Sequence, residues 1–235
     1  MSLSPEQVRF FRHNGYLRLP TRFAEGHVAA LKAVILRDIE EEVEPVVRSN
    51  GRVVRISNVW DRGPIFRETI TADAILDPLE ALLGPNIEFV RNRHNHATLR
   101  LRGDGSPGLH RDVLQFTRGI VTVLLYLEES HLENGCTRIV PGTHLFPNLP
   151  RADAGVEAYA ERVGLREQAV PVPMPAGGLL AIDSLVFHGV GENRTNGSRM
   201  SMTLGYHSVD ELNDAPNPKR VLVRGERLYR GNDRG

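Results

Sequence analysis

Residues 177–188 read GGLLAIDSLVFH and residues 198–209 read SRMSMTLGYHSV, with the turn-rich GVGENRTNG (189–197) between them. Both runs are short, apolar and rich in residues that suit a pleated, half-buried surface, and glycine and asparagine punctuate the join. Earlier in the chain the same pattern appears in IEFVRNRHNHATLRL (87–101), GIVTVLLYL (119–127) and CTRIVP (136–141). Turn clusters at Gly103-Asp104-Gly105 and Glu133-Asn134-Gly135 separate these runs. The second half of the chain is therefore expected to be a series of short strands. Asn193-Arg-Thr195 and Asn196-Gly-Ser198, formally glycosylation acceptors, read as part of a turn.

The first part of the chain has a different periodicity. Ser4, Pro5 and Gln7 supply an N-cap, a first-turn proline and a capping-box partner, and Gly15 supplies the stop, so a short helix is expected between them. Leu17, Leu19 and Pro20 suggest a brief strand. Val28, Leu31, Ile35 and Ile39 then recur at helical spacing, and a third helix over 72–83 ends at Gly84-Pro85. Helices followed by many strands predict a mainly β fold, a double-stranded β-helix (a cupin-like jelly roll) with a helical layer on one face. The expected organisation is a single domain with a helical layer at 1–86 and a jelly-roll core at 87–210. A polar segment at 148–168 is read as an insertion or lid over the barrel mouth, and 211–235 as a tail.

The composition restricts the function. Lys plus Arg and Asp plus Glu are 29 each, so no net field recruits nucleic acid or an anionic membrane. No apolar run approaches the roughly 18 residues of a membrane span, and the opening MSLSPEQVRFF lacks the apolar stretch of a leader. The single cysteine, Cys136, excludes an internal disulfide or a cysteine metal cluster, fits a reducing cytoplasm, and is expected to be a packed small side chain. The partner expected is a small molecule held in a local site.

In GLHRDVLQF (108–116), His110 and Asp112 stand two apart, so on a strand both would project from one face. His188 ends an apolar strand run at a glycine-rich turn. Together these three form a candidate two-histidine, one-carboxylate triad, the donor set that holds non-haem iron(II) with coordination positions left open. Arg199 begins the next strand with Ser201 on the same face, and its planar fork suits a carboxylate.

The opening SPEQVRFFRHNGYLRL, His110-Arg-Asp112, ENGCTRIVPGTH (133–144) and AGGLLAIDSLVFHGVGENRTNGSRMSM (176–202) resemble the phytanoyl-CoA dioxygenase family of iron(II)/2-oxoglutarate oxygenases across nearly the whole length. The resemblance implies that His110, Asp112 and His188 hold iron and serve catalysis, and that Arg199 binds the distal carboxylate of 2-oxoglutarate. Thr137 matches a position that often hydrogen-bonds the same carboxylate; Ser201, on the strand face of Arg199, is a weaker candidate, since a strand serine is more often a solvated or backbone-bonded hydroxyl. The implied reaction consumes O2 and 2-oxoglutarate and releases succinate and CO2 while a substrate C–H bond is oxidised. Hydroxylation is the default outcome, because Asp112 fills a position that related halogenases leave open to halide. Desaturation, epoxidation or cyclisation with the same cofactors, or a non-catalytic cupin-like binding role, are the alternatives.

Several residues have both a functional and a plainer reading. His94 and His96 alternate on one strand face and would border the iron or the substrate if that face is not simply half-solvated, with Arg91 and Arg93 opposite. Asn58 and Trp60 are candidate substrate-wall residues, although an aromatic more often fills a core. His131-Leu-Glu133 repeats the His-x-carboxylate spacing in a turn and is a distant second choice. His144 is read as part of a turn, and Asp183 as a support for the metal site or a turn cap. No basic run marks a site for a nucleotide-like carrier such as CoA, unless scattered arginines assemble in space.

Overall fold

The computed structural model describes residues 2–105, 108–113, 120–146, 155–209 and 217–227. The chain opens with helix α1 (Pro5–Asn14), whose capping box is complete: Ser4 Oγ accepts from the Gln7 amide at 3.3 Å, and Gln7 Oε1 accepts from the Ser4 amide at 2.8 Å. Gly15 ends it in the left-handed conformation at φ 76°. Strand β1 (Tyr16–Arg22), helix α2 (Glu25–Glu40), the hairpin β2 (Val46–Ser49) and β3 (Arg52–Ser57), and helices α3 (Pro64–Ile70) and α4 (Asp73–Leu83) follow. Next come β4 (Ile87–Val90), β5 (Asn95–Arg100), β6 (Ile120–Tyr126), β7 (Thr137–Val140), helix α5 (Gly155–Arg162), β8 (Val170–Val172), β9 (Gly178–Asp183), β10 (Phe187–Val190), β11 (Arg199–Ser208) and β12 (Arg220–Arg224).

The strands form two antiparallel sheets of a jelly roll. The larger runs β1-β9-β6-β11-β5-β3-β2, with β4 pairing both β11 and β12, and the smaller runs β10-β7-β8. Alternation along each strand of the large sheet explains the layering. Val121, Val123 and Leu125 of β6, and Met200, Met202, Leu204 and Tyr206 of β11, join the core cluster that contains Leu31 and Ile35 of α2 and Ile75 and Leu79 of α4. Fully burying one such aliphatic side chain contributes about 1.5–3 kcal/mol. The intervening residues Thr122, Leu124, Tyr126, Arg199, Ser201 and Thr203 face the space between the sheets. Arg62 clamps α2 to the β2–β3 hairpin: it pairs with buried Asp38 at 3.0 Å and donates to the Ser57, Val43 and Pro45 carbonyls.

Four expectations are corrected. The first 86 residues are not only a helical layer, because β1 and β3 are strands of the large sheet. The run at 87–101 is two strands, broken by a turn in which His94 takes φ 50°. Of the expected tail, 220–224 forms β12, whose alternating Val221 and Val223 suit an edge, while 211–216 and 228–235 lie outside the described residues. Of the expected lid, 148–154 also lies outside them. Its described part does not cover the cavity, because Tyr159, Ala160 and Leu165 bury their apolar surface against Phe187, Val140 and Leu109 instead.

Candidate functional site

His188 sits in β10 of the small sheet, and His110 pairs with it across a single bridge. The His110 amide donates to the His188 carbonyl at 2.8 Å, and the His188 amide donates back to the His110 carbonyl at 3.0 Å. The segment around His110 is irregular rather than the expected strand. Even so, buried Arg111 turns the other way, over the Phe187 ring and onto the Thr143 carbonyl, while His110 and Asp112 turn inward. The Asp112 amide is held by the Ser184 carbonyl at 2.9 Å, which anchors this segment to the end of β9.

One ligand atom from each of His110, Asp112 and His188 lies within 4.8 Å of the others, the group of this kind found among the described residues. Asp112 Oδ1 is 3.5 Å from His188 Nε2 and 3.8 Å from His110 Nε2, so neither ring hydrogen-bonds the carboxylate. His188 Nδ1 lies 3.0 Å from the Val186 carbonyl, which takes the ring proton there and leaves Nε2 free to ligate. Thr122 Oγ1 donates to Asp112 Oδ2 at 2.7 Å, and His94 Nε2 is 3.3 Å from Oδ1. Burial alone would raise the Asp112 pKa, but His188, His94 and Thr122 outweigh it and the net displacement is downward. Burial, with His188 beside it, pulls His110 down to about 4. A carboxylate at Asp112 and a neutral imidazole at His110 are protonation states suited to a divalent metal.

These residues close one end of a cavity of about 450 Å³. At the other end Arg199 is 4% exposed, its Nη1 is buried without a hydrogen-bond partner, and burial together with Arg100 lowers its pKa to about 10. Thr137 Oγ1 and Tyr126 OH lie 2.7 Å apart beside it. A site with an orphaned guanidinium at one end and a metal donor set at the other fits a ligand with an acidic group at its far end and a chelating head.

His94, His96 and Ser201 all line this cavity, His94 from the turn before β5 rather than from the strand face shared with His96 that the alternation predicts. Arg91 instead pairs with Asp61 at 3.0 Å, and Arg93, expected on Arg91's face, donates to the Asp112 carbonyl because the turn at 91–94 breaks the alternation. Neither Asn58 nor Trp60 lines the cavity. Trp60 stacks on Phe89 in the core at 5.6 Å, and Asn58 sits exposed in a left-handed turn. Asp183 caps a turn by accepting from the Leu185 amide, His144 contacts the Arg12 carbonyl, and His131 and Glu133 join no metal-binding group among the described residues. Cys136 is buried, and that burial raises its pKa. Sequence reasoning missed Thr122, Tyr126, Arg55 and Arg100, which reach the cavity only because the sheet register brings them there.

The family model described as "Phytanoyl-CoA dioxygenase (PhyH)" matches residues 11–201. Peroxisomal phytanoyl-CoA dioxygenase of Mus musculus is 25% identical over 236 residues, covering 88% of this chain and 69% of the mouse protein. Among solved structures, the non-haem α-ketoglutarate-dependent epimerase SnoN from nogalamycin biosynthesis superposes with a TM-score of 0.77 at 20% identity, covering 94% of this chain and 98% of that one. HygX from Streptomyces hygroscopicus, solved with nickel and 2-oxoglutarate bound, gives 0.69 at 21% identity over 88% of each chain.

Proposed function

Because the chain belongs to the phytanoyl-CoA dioxygenase family of iron(II)/2-oxoglutarate-dependent oxygenases, we propose that it hydroxylates an unactivated C–H bond of a small molecule within one oxygenase domain. The observation that carries this reading is one cavity with His110, Asp112 and His188 at one end and the orphaned guanidinium of Arg199 at the other. Iron(II) bound with 2-oxoglutarate and O2 supplies the oxidising power for C–H cleavage, with succinate and CO2 as co-products.

The chain's own residues prepare for that chemistry. His110, Asp112 and His188 offer three donors on one side and leave the cavity side open. Thr122 and the Val186 carbonyl fix the carboxylate and the His188 ring in ligating orientation. Arg199 would hold the distal carboxylate of 2-oxoglutarate, with the Thr137 and Tyr126 hydroxyls beside it and Ser201 on the same strand face. Cavity walls built from β5, β6 and β11 orient the substrate and exclude water, and how they do so decides the outcome. Ring closure, desaturation or epoxidation would need the same residues in the same roles. The complete donor set weighs against a purely binding role. Cys136, without a cysteine partner in the chain, fits a reducing compartment such as the cytoplasm, and no helix among the described residues is long and apolar enough to cross a membrane.

Anaerobic titration of the apoprotein with iron(II) and then 2-oxoglutarate tests the assignment. The weak visible charge-transfer band of a chelated 2-oxoacid is expected in the wild type and absent in His188→Ala. Arg199→Gln should weaken 2-oxoglutarate binding by about tenfold or more, because a charge-assisted pair is lost. Iron binding without the band would refute the proposal.

A further inference from the structure

Arg199 is one of four arginines lining this cavity; Arg93 donates to the Asp112 carbonyl at the metal end, and the other three, Arg55, Arg100 and Arg199, stand on the sheet wall. Across the β5–β11 ladder Arg199 stands directly opposite Arg100, and Thr98, two residues before Arg100, pairs with Arg55 of β3. Their side chains share the inner face of the sheet, and all three line the same space. The other neighbours of Arg199 are on the β6 side, where Ser201 pairs with Tyr126. Arg55 and Arg100 lie on the opposite side of β11, about 5 Å per strand further across the sheet. The register therefore divides the deep end of the cavity into two flanking basic regions.

One distal carboxylate neutralises one of these cations, which leaves two. Neither the Arg55 nor the Arg100 side chain has an ion-pair or hydrogen-bond partner among the described residues, and Arg55 Nε is buried without one. The carboxylate that acts on Arg100, Asp104, is already engaged: it pairs with Arg52 and accepts from the Leu101 amide at 2.8 Å. Burial and mutual repulsion depress the pKa of Arg100, and burial depresses that of Arg55. Holding two like charges together, half-buried and unpaired, costs stability that a bound anion would offset. A second cleft of about 370 Å³ on the β2–β3 hairpin side is also lined by Arg55, Thr98 and Arg100.

We propose that Arg55 and Arg100, with His96 beside them, form an anion subsite that binds a carboxylate or phosphate group of the substrate to be oxidised, separate from the 2-oxoglutarate position at Arg199. Two guanidinium forks can each give a bidentate pair to such a group, which would fix the substrate's remote end while its reacting carbon faces the metal donors. A half-buried His96, neutral at pH 7, adds one hydrogen bond without more charge. The proposal rests on the oxygenase reading above.

The test is calorimetric and needs no turnover. Protein loaded anaerobically with iron(II) and saturating 2-oxoglutarate is titrated with hexanoate, benzoate and phenyl phosphate, and with hexanamide and benzamide as uncharged matches. At least one acid should bind about tenfold tighter than its amide, and Arg55→Gln and Arg100→Gln should each remove most of that preference. Both variants should keep 2-oxoglutarate affinity within about threefold of wild type, less than half the energy of one charged pair. The relative strength of benzoate and phenyl phosphate identifies which oxyanion fits. Arg55→Lys and Arg100→Lys keep the charge, guard against misfolding, and should retain part of the preference for the acid. Equal binding of acid and amide, or no binding of either, with 2-oxoglutarate affinity intact would overturn the subsite alone. So would Arg100→Gln weakening 2-oxoglutarate as much as Arg199→Gln does. Failure of the wild type to bind 2-oxoglutarate would instead sink the oxygenase reading together with the subsite.

Discussion

Thr122→Val removes the hydroxyl that holds Asp112, together with its longer contacts to Ser184 Oγ at 3.2 Å and His94 Nδ1 at 3.4 Å. The side chain is 1% exposed, and its hydroxyl donates to Asp112 Oδ2 at 2.7 Å. Valine keeps the branched shape but leaves a buried carboxylate oxygen without that donor, and a hydrogen bond to a charged group is worth about 1.5–3 kcal/mol. Groups that orient a metal ligand in this way typically govern about 10–100-fold in metal affinity, which is the same range in energy. Iron(II) affinity, measured anaerobically by competition with a chromophoric chelator, should therefore fall by that factor in Thr122→Val and recover largely in Thr122→Ser. The 2-oxoglutarate requirement at saturating iron should be unchanged, because Thr122 lies at the opposite end of the cavity from Arg199. An affinity within about twofold of wild type, less than 0.5 kcal/mol, would show that Asp112 is positioned by its backbone alone.

Two further outcomes are expected. Gly189→Ala would place a methyl group well inside contact distance of the Gly108 carbonyl oxygen, a backbone atom two residues before His110. It should force the His110–His188 bridge apart and lower iron affinity more than thermal stability, as paired chelator titration and melting curves would show. The second concerns acid. Burial, with Arg55 and His94 nearby, pulls His96 down from 6.5 to about 3, so the unfolded chain takes up the proton first. Its contribution is intact above pH 6.5 and fades as pH falls, reaching about 2 kcal/mol lost by pH 5. Melting of the apoprotein between pH 7 and 5 should show this loss, and His96→Gln should flatten the slope.

The sequence was most readable where one local pattern decides the structure. The Ser4 capping box, the period of α2 and the alternation in 119–127 and 198–209 each need only neighbouring residues, and each appears as expected. His110, Asp112 and His188 were visible because a chelating set leaves a spacing and a strand end behind. Non-local pairing was hidden. Arg55 and Arg100 belong to one cluster only through the β3–β5–β11 register, which no window of sequence displays. The turn at 91–94 was hidden because an unbroken β-rich composition conceals a residue with positive φ, and α3 was missed because seven residues are too few to establish a helical period. Trp60 and Asn58 misled because an isolated aromatic beside an amide looks like a pocket wall, when the ring was needed to cover Phe89.

The three proposed metal donors do not belong to one sheet. Asp112 is tied to β6 and β9 of the large sheet through Thr122 and the Ser184 carbonyl, whereas His188 is a residue of β10 in the small one, with His110 bridged to it. A cation shared by all three would act as a rivet through both walls of the barrel. Free energy of loading then becomes free energy of cohesion, about 2.7 kcal/mol when free iron is a hundred times the dissociation constant. Heat resistance in such a molecule would report how much iron its surroundings provide, and a starved copy would part first at its own mouth.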